Sequence, residues 1–165
     1  MGRSEGYKIA IVASRFNHEI TSAMVEAARA RLCELGIHEI DLFWVPGAFE
    51  IPKMVQRLER SERYDGILPL GCVIQGETAH FEHICRTVSD ALMRLTLEGE
   101  TPIVFGVLTT YTEEQARARI AKAAEAAESL VELMRSVESL HTTVSPTRRT
   151  SRSRTGRTST TSSGS

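Results

Sequence analysis

Aromatic residues make up only 5% of this 165-residue sequence, cysteines number three, and residues 141–165 contain no acidic residue at all. No apolar run approaches the ~18–20 residues that a membrane-spanning helix needs. No N-terminal stretch has the charged and apolar regions of a signal peptide. The cysteines, Cys33, Cys72 and Cys85, are odd in number and none forms a CxxC pair. That spacing excludes a disulfide scaffold, a dithiol redox centre and a thiolate zinc site. Reduced thiols in a cytoplasmic protein are the expectation. The missing acids matter because residues 141–165 hold five arginines, so the formal net charge of −1 divides into +5 there and −6 on residues 1–140. The mildly acidic body is unsuited to polyanions, and only the basic segment is a candidate to bind nucleic acid.

The rest of the composition, 41% hydrophobic and 25% charged, is that of a globular domain. Tyr7–Ala13 and Glu39–Val45 are short β-branched runs that suit buried strands. Gly66–Leu70 and Pro102–Leu108 read the same way, with Pro69 awkward inside the first of them. Between the strands, Glu19–Leu35, Glu50–Ser61 and Ala79–Leu97 carry apolar residues at helical spacing, and Gly36 is placed to stop the first helix. Glu113–Leu140 follows as one long Ala-rich helix. Strand and helix thus alternate four times, which predicts an α/β domain over residues 1–140, a parallel sheet with helices on both faces. Residues 141–165, rich in Ser, Thr and Arg, cannot bury enough apolar surface to order themselves and are expected to be a disordered tail.

In such a sheet, ligands bind beyond the carboxyl ends of the strands. The loop 71–80, GCVIQGETAH, is the richest candidate there. Gly71 and Gly76 permit close backbone approach, and Gly76, Glu77 and Thr78 lead into a helix N-terminus, a natural anion site. Thr78 could equally be a simple N-cap. His80 stands in the first turn, where a neutral imidazole could act as a general base. His80 and His83 share a helix face, but no third ligand is evident, so no metal is expected. Phe16 and Phe49, on the loops 14–18 and 46–50, could stack on a planar ligand or seal the core. Glu50 could accept hydrogen bonds from ligand hydroxyls or cap its own helix.

The segments SRFN, PGAFEIP, GCVIQGETAHFE and FGVLTTYTEEQA occur in this order over roughly residues 8–139, and here the sequence resembles the 6,7-dimethyl-8-ribityllumazine synthase family. The resemblance implies a flavodoxin-like three-layer αβα sandwich with a four-stranded parallel sheet. It implies a cofactor-free condensation of 5-amino-6-(D-ribitylamino)uracil with 3,4-dihydroxy-2-butanone 4-phosphate, releasing phosphate and water. It implies homo-oligomers: pentamers, sometimes twelve of them in a hollow icosahedral shell, with active sites between subunits. Carried over by the same resemblance, Phe16 stacks on the pyrimidine, and the backbone at Ala48 and Phe49 with the Glu50 carboxylate holds the ribityl chain. Val73 and Ile74 present backbone groups to the uracil. Gly76, Glu77 and Thr78 receive the phosphate, with Arg119 paired to it. His80 transfers protons, and Phe105 lines the site of the adjoining subunit.

One segment departs from the family pattern. After its arginine the family usually has a stretch like AGxKxGNKG, with a substrate-facing lysine. This chain runs Arg119-Ile120-Ala121-Lys122-Ala123-Ala124-Glu125 instead, several residues shorter. Lys122 is the candidate substitute. Without a Gly-rich break, the segment is expected to continue as one helix and to carry Arg119 away from the phosphate. That departure sets an alternative beside the enzyme: an oligomeric shell or scaffold of the same fold with impaired catalysis. The archaeal-type riboflavin synthase fold relative is disfavoured by the intact GETAHF segment.

Overall fold

The computed structural model describes residues 6–76 and 79–143, with the side chains of 141–143 left out. The chain alternates as β1 (Lys8–Ser14), α1 (His18–Glu34), β2 (Glu39–Val45), α2 (Ile51–Ser61), β3 (Gly66–Ile74), α3 (His80–Glu98), β4 (Gly106–Thr110), α4 (Glu113–Ala118) and α5 (Lys122–Thr143). A single 3-10 turn, Ala48–Glu50, precedes α2. All four strands are parallel, in the order β2-β1-β3-β4, which is the flavodoxin-type order.

Alternation along each strand sends side chains to two separate cores. Ile9, Ile11, Leu68 and Leu70 face α1 and α5, where they meet Met24, Leu32, Leu130 and Met134. Ala10, Val12, Ile67 and Val107 face α2 and α3, where they meet Ile51, Val55, Val88 and Leu92. The result is the expected three-layer sandwich. At the end of α1, Gly36 adopts φ +85°. Its amide donates to the Cys33 carbonyl and that of Ile37 to the Leu32 carbonyl, the paired bonds of a glycine-terminated helix.

Three elements differ from their expected form. β3 is longer than Gly66–Leu70 and takes in the start of the expected loop, because Cys72, Val73 and Ile74 pair with Leu108, Thr109 and Thr110. β4 begins later than Pro102. Ile67 bridges Ile103, and the regular ladder resumes only at Leu70–Gly106. The interruption falls opposite Pro69. The Ile67 amide donates to the Pro102 carbonyl, so groups two residues on face the same neighbour. Pro69 has no N–H to give there. Its carbonyl also lies 2.5 Å from where a Cβ on Gly106 would sit, so only glycine fits that crossing.

The third correction is the long helix. Instead of one run over Glu113–Leu140, α4 ends at Ala118 and a turn separates it from α5. Through that turn Arg119, Lys122, Ala123 and Ala124 each donate to the carbonyl three residues earlier, a tightened winding that redirects the axis. Helix propensity would permit continuation, but packing decides otherwise. The turn lets Ala116 and Ile120 meet the core while Ala123, Ala127, Leu130 and Val131 lie along α1. α5 then runs to Thr143, so the first three residues of the expected tail are helical; residues 144–165 lie outside the described residues. Among the described residues, no helix is long and apolar enough to cross a membrane.

Candidate active site

The carboxyl ends of β1, β2 and β3 open onto a cavity of about 390 Å³. β1 contributes Phe16. The loop after it leaves the sheet by handing its amides to β2: Arg15 N–H donates to the Val45 carbonyl at 2.8 Å and Phe16 N–H to the Pro46 carbonyl at 3.0 Å. This holds the Phe16 ring over the opening, 71% exposed. Asn17 follows in the left-handed conformation, φ 58°, and its carbonyl accepts the first amides of α1 from Ile20 and Thr21.

β2 contributes the turn Ala48–Glu50, and the cavity wall includes Ala48, Phe49 and Glu50. Glu50 folds back so that its carboxylate accepts the Gly47 amide at 3.1 Å. The bond both caps the turn and fixes the carboxylate beside the cavity, so the two readings of Glu50 are compatible. β3 contributes Val73, Ile74 and Gly76. Gln75 N–H donates to the Thr110 carbonyl at 2.8 Å, extending the pairing with β4 to the cavity's edge. His80, exposed at the start of α3, completes the ring of side chains.

Eight of the residues singled out from the sequence therefore meet around one cavity. Four others do not. Glu77 and Thr78 lie outside the described residues. Phe105 is 46% exposed and lies on a different surface depression, with Phe81, Cys85 and Tyr111. Arg119 sits on the α4–α5 turn, where its guanidinium donates to the Gln115 carbonyl at 3.2 Å. α4 itself is held to the first turn of α1 by Arg117, which pairs with Glu113 and with Glu19. That guanidinium holds the Glu19 carboxyl below its ordinary range.

The cavity also uses residues that the sequence did not single out as ligand groups: Gly47, Cys72, Phe81 and Ile84. Ile84 was legible only as part of the apolar face of α3, one turn beyond His80. Burial, with a smaller contribution from Glu113, pushes the Cys72 thiol up to about 11, so it lines the cavity as a neutral group. A groove of about 500 Å³ between α2 and α3 runs past Lys53, Thr87 and Arg94; of the loop groups it gathers only Phe49. Among the described residues, no three His, Cys, Asp or Glu cluster as a metal site.

Comparison with known proteins now bears directly on this constellation. The family model for 6,7-dimethyl-8-ribityllumazine synthase matches residues 6–138. The chain belongs to the 6,7-dimethyl-8-ribityllumazine synthase family. It is 47% identical over 116 residues to the synthase of Lactiplantibacillus plantarum, a match covering 69% of this chain and 73% of the relative. It is 47% identical to that of Coxiella burnetii, covering 68% and 76%, and 50% identical to synthase 1 of Caulobacter vibrioides, covering 68% and 74%. All three matches span roughly two thirds of this chain. Three of the four segments that carry the resemblance, SRFN, PGAFEIP and GCVIQGETAHFE, supply all of the cavity's lining but Ile84.

Proposed function

We propose that the chain is a 6,7-dimethyl-8-ribityllumazine synthase of riboflavin biosynthesis. It condenses 5-amino-6-(D-ribitylamino)uracil with 3,4-dihydroxy-2-butanone 4-phosphate to give the lumazine, phosphate and water. One observation carries the reading: in a member of this family, Phe16, the Ala48–Glu50 turn, the Val73–Ile74 segment and His80 converge on one cavity from separate loops. The Phe16 ring offers its face to the planar pyrimidine. Glu50 and the turn amides take the ribityl hydroxyls, and the Val73–Ile74 backbone takes the uracil edge. Gly76, with Glu77 and Thr78, receives the phosphate ahead of α3.

Imine formation and loss of phosphate both move protons. Imidazole is the side chain suited to exchanging them near neutral pH, and His80 is the proton carrier. The reaction calls on no cofactor or metal. Arg119 pairs with the phosphate from the α4–α5 turn, and a charge-assisted pair of this kind is stronger than a neutral hydrogen bond. Phe105 lies outside its own chain's cavity, on a separate depression, which fits the role of lining a neighbouring subunit's site in a pentamer or a larger shell. The reduced thiols fit a cytoplasmic enzyme. A scaffold with impaired catalysis is the weaker reading, since Phe16, Glu50, Val73, Ile74 and His80 line one cavity. The test is to mix the purified chain with both substrates and follow the lumazine by its absorbance. Absence of product from folded protein would overturn the proposal.

A further inference from the structure

Asn17 does not touch the cavity, yet two of its features converge on it. Its backbone is left-handed, φ 58°, a conformation that costs most side chains energy and that asparagine tolerates better than most. Its side-chain amide donates to the Cys72 carbonyl at 2.9 Å. The reason lies in the register. β1 and β3 pair up to Ala13–Leu70. Because the Ile67 amide faces β4, the even-numbered backbone groups of β3 face β1. A continued ladder would give the Cys72 carbonyl the amide of Phe16. That amide goes instead to Pro46, on the β2 side. Asn17 supplies the donor that Phe16 takes away.

We infer that Asn17 is a positioning residue that sets the slot between the Phe16 ring and the Val73–Ile74 backbone. The inference rests on the proposed function, because the slot's occupant is the flat pyrimidine ring. Phe16 precedes Asn17 and Val73 follows Cys72, so the one bond ties the aromatic shelf directly to the strand end facing it. Without it, the Phe16 loop stays attached to β2 through the Arg15 and Phe16 amides but is released from β3. A planar ligand gripped between the two would lose preorganised contact. A ligand held at the helix N-terminus, which follows Val73 and Ile74 in the chain and is not tied to Asn17, would not.

Two substitutions separate this role from a general loss of fold. Asn17→Gly keeps the left-handed conformation without strain and keeps the carbonyl that caps α1, but removes the donor. Asn17→Asp keeps the side-chain shape and sets a carboxylate against the Cys72 carbonyl. With the full-length chain, Asn17→Gly should raise the KM for the pyrimidine by about 3- to 10-fold, the equivalent of one net hydrogen bond. Asn17→Asp should raise it further. In both variants the KM for the phosphorylated ketone should stay within about twofold of wild type, and the far-UV circular dichroism should be unchanged. Wild-type turnover with an unaltered pyrimidine KM in both variants, or with equal rises for both substrates, would overturn the slot alone. A wild-type chain that yields no product would overturn the proposed function and the slot together.

Discussion

His80 stands exposed at the first position of α3, with one wall of the cavity formed by its own helix through Phe81 and Ile84. Little of the core depends on it, since the residues of α3 buried against the sheet are Val88 and Leu92. His80→Ala should therefore remove a proton carrier without unfolding the helix. Lumazine formation is expected to slow by ~10- to 1000-fold, the range of a lost general acid–base group, while the thermal midpoint stays put. Wild-type turnover in that variant would take His80 out of the mechanism. The contrast with Cys72 is chemical. Both line the cavity, but burial keeps the thiol protonated, which leaves it no comparable part in moving protons.

Among the elements, the α4–α5 turn departs most from what the local sequence favours, and it governs where Arg119 stands. The Arg117 pair to Glu19 ties α4 to the first turn of α1, though an exposed pair of this kind contributes little stability. If the turn keeps Arg119 within reach of the phosphate, Arg119→Ala should raise the KM for the phosphorylated ketone more than that for the pyrimidine. Steady-state kinetics with each substrate varied in turn decide it, and equal effects would place Arg119 outside the site. At its other end α5 is joined to the start of the sheet by the Tyr7 hydroxyl, which donates to the Glu138 carboxylate. Burial, and then that carboxylate, push the Tyr7 hydroxyl from its ordinary value of 10.0 up to about 12. A raised value means that the folded state holds the proton more tightly. The stabilisation is therefore complete below about pH 10 and lost as the pH climbs through about 12. Urea midpoints of wild type and Tyr7→Phe should differ most near pH 8 and converge above pH 10; a gap independent of pH would show that the hydroxyl contributes no such linkage.

At the scale of the whole molecule, charge is unevenly distributed. The body over residues 1–140 carries −6, and residues 141–165 carry +5. With α5 continuing to Thr143, the arginines all belong to residues 148–157. Were several subunits to bring these segments together, the arginines would retain nucleic acid and release it as salt rises, because neutralising phosphates frees bound counterions. Comparing the full chain with one ending at Thr143, by the ratio of absorbance at 260 and 280 nm after purification at low salt, tests this. If the segments act in this way, the full chain gives the higher ratio. Equal low ratios would leave the segment without that role and the enzyme unaffected.

The order of elements, the parallel sheet and most of the cavity were legible in the sequence. Strand periodicity, helix stops such as Gly36 and the strand-end loops depend on neighbours a few residues apart. Phe16, Phe49, Glu50, Gly76 and His80 could be singled out because the sheet's topology brings successive loops to one edge, whereas Ala48, Val73 and Ile74 were named only through the family resemblance. Other features were decided only when distant segments met. The interruption of β4 depends on Pro69 lying across from it in the register, which no local pattern reveals. The break after Ala118 runs against the helix propensity of its own residues; tertiary packing overrides it, bringing Ile120, Ala123 and Ala127 onto the core that α1 and α5 share. The bond from Asn17 to Cys72 joins positions 55 residues apart. It arises because β1 turns toward β2 at the point where β3 still presents a carbonyl that must find a donor.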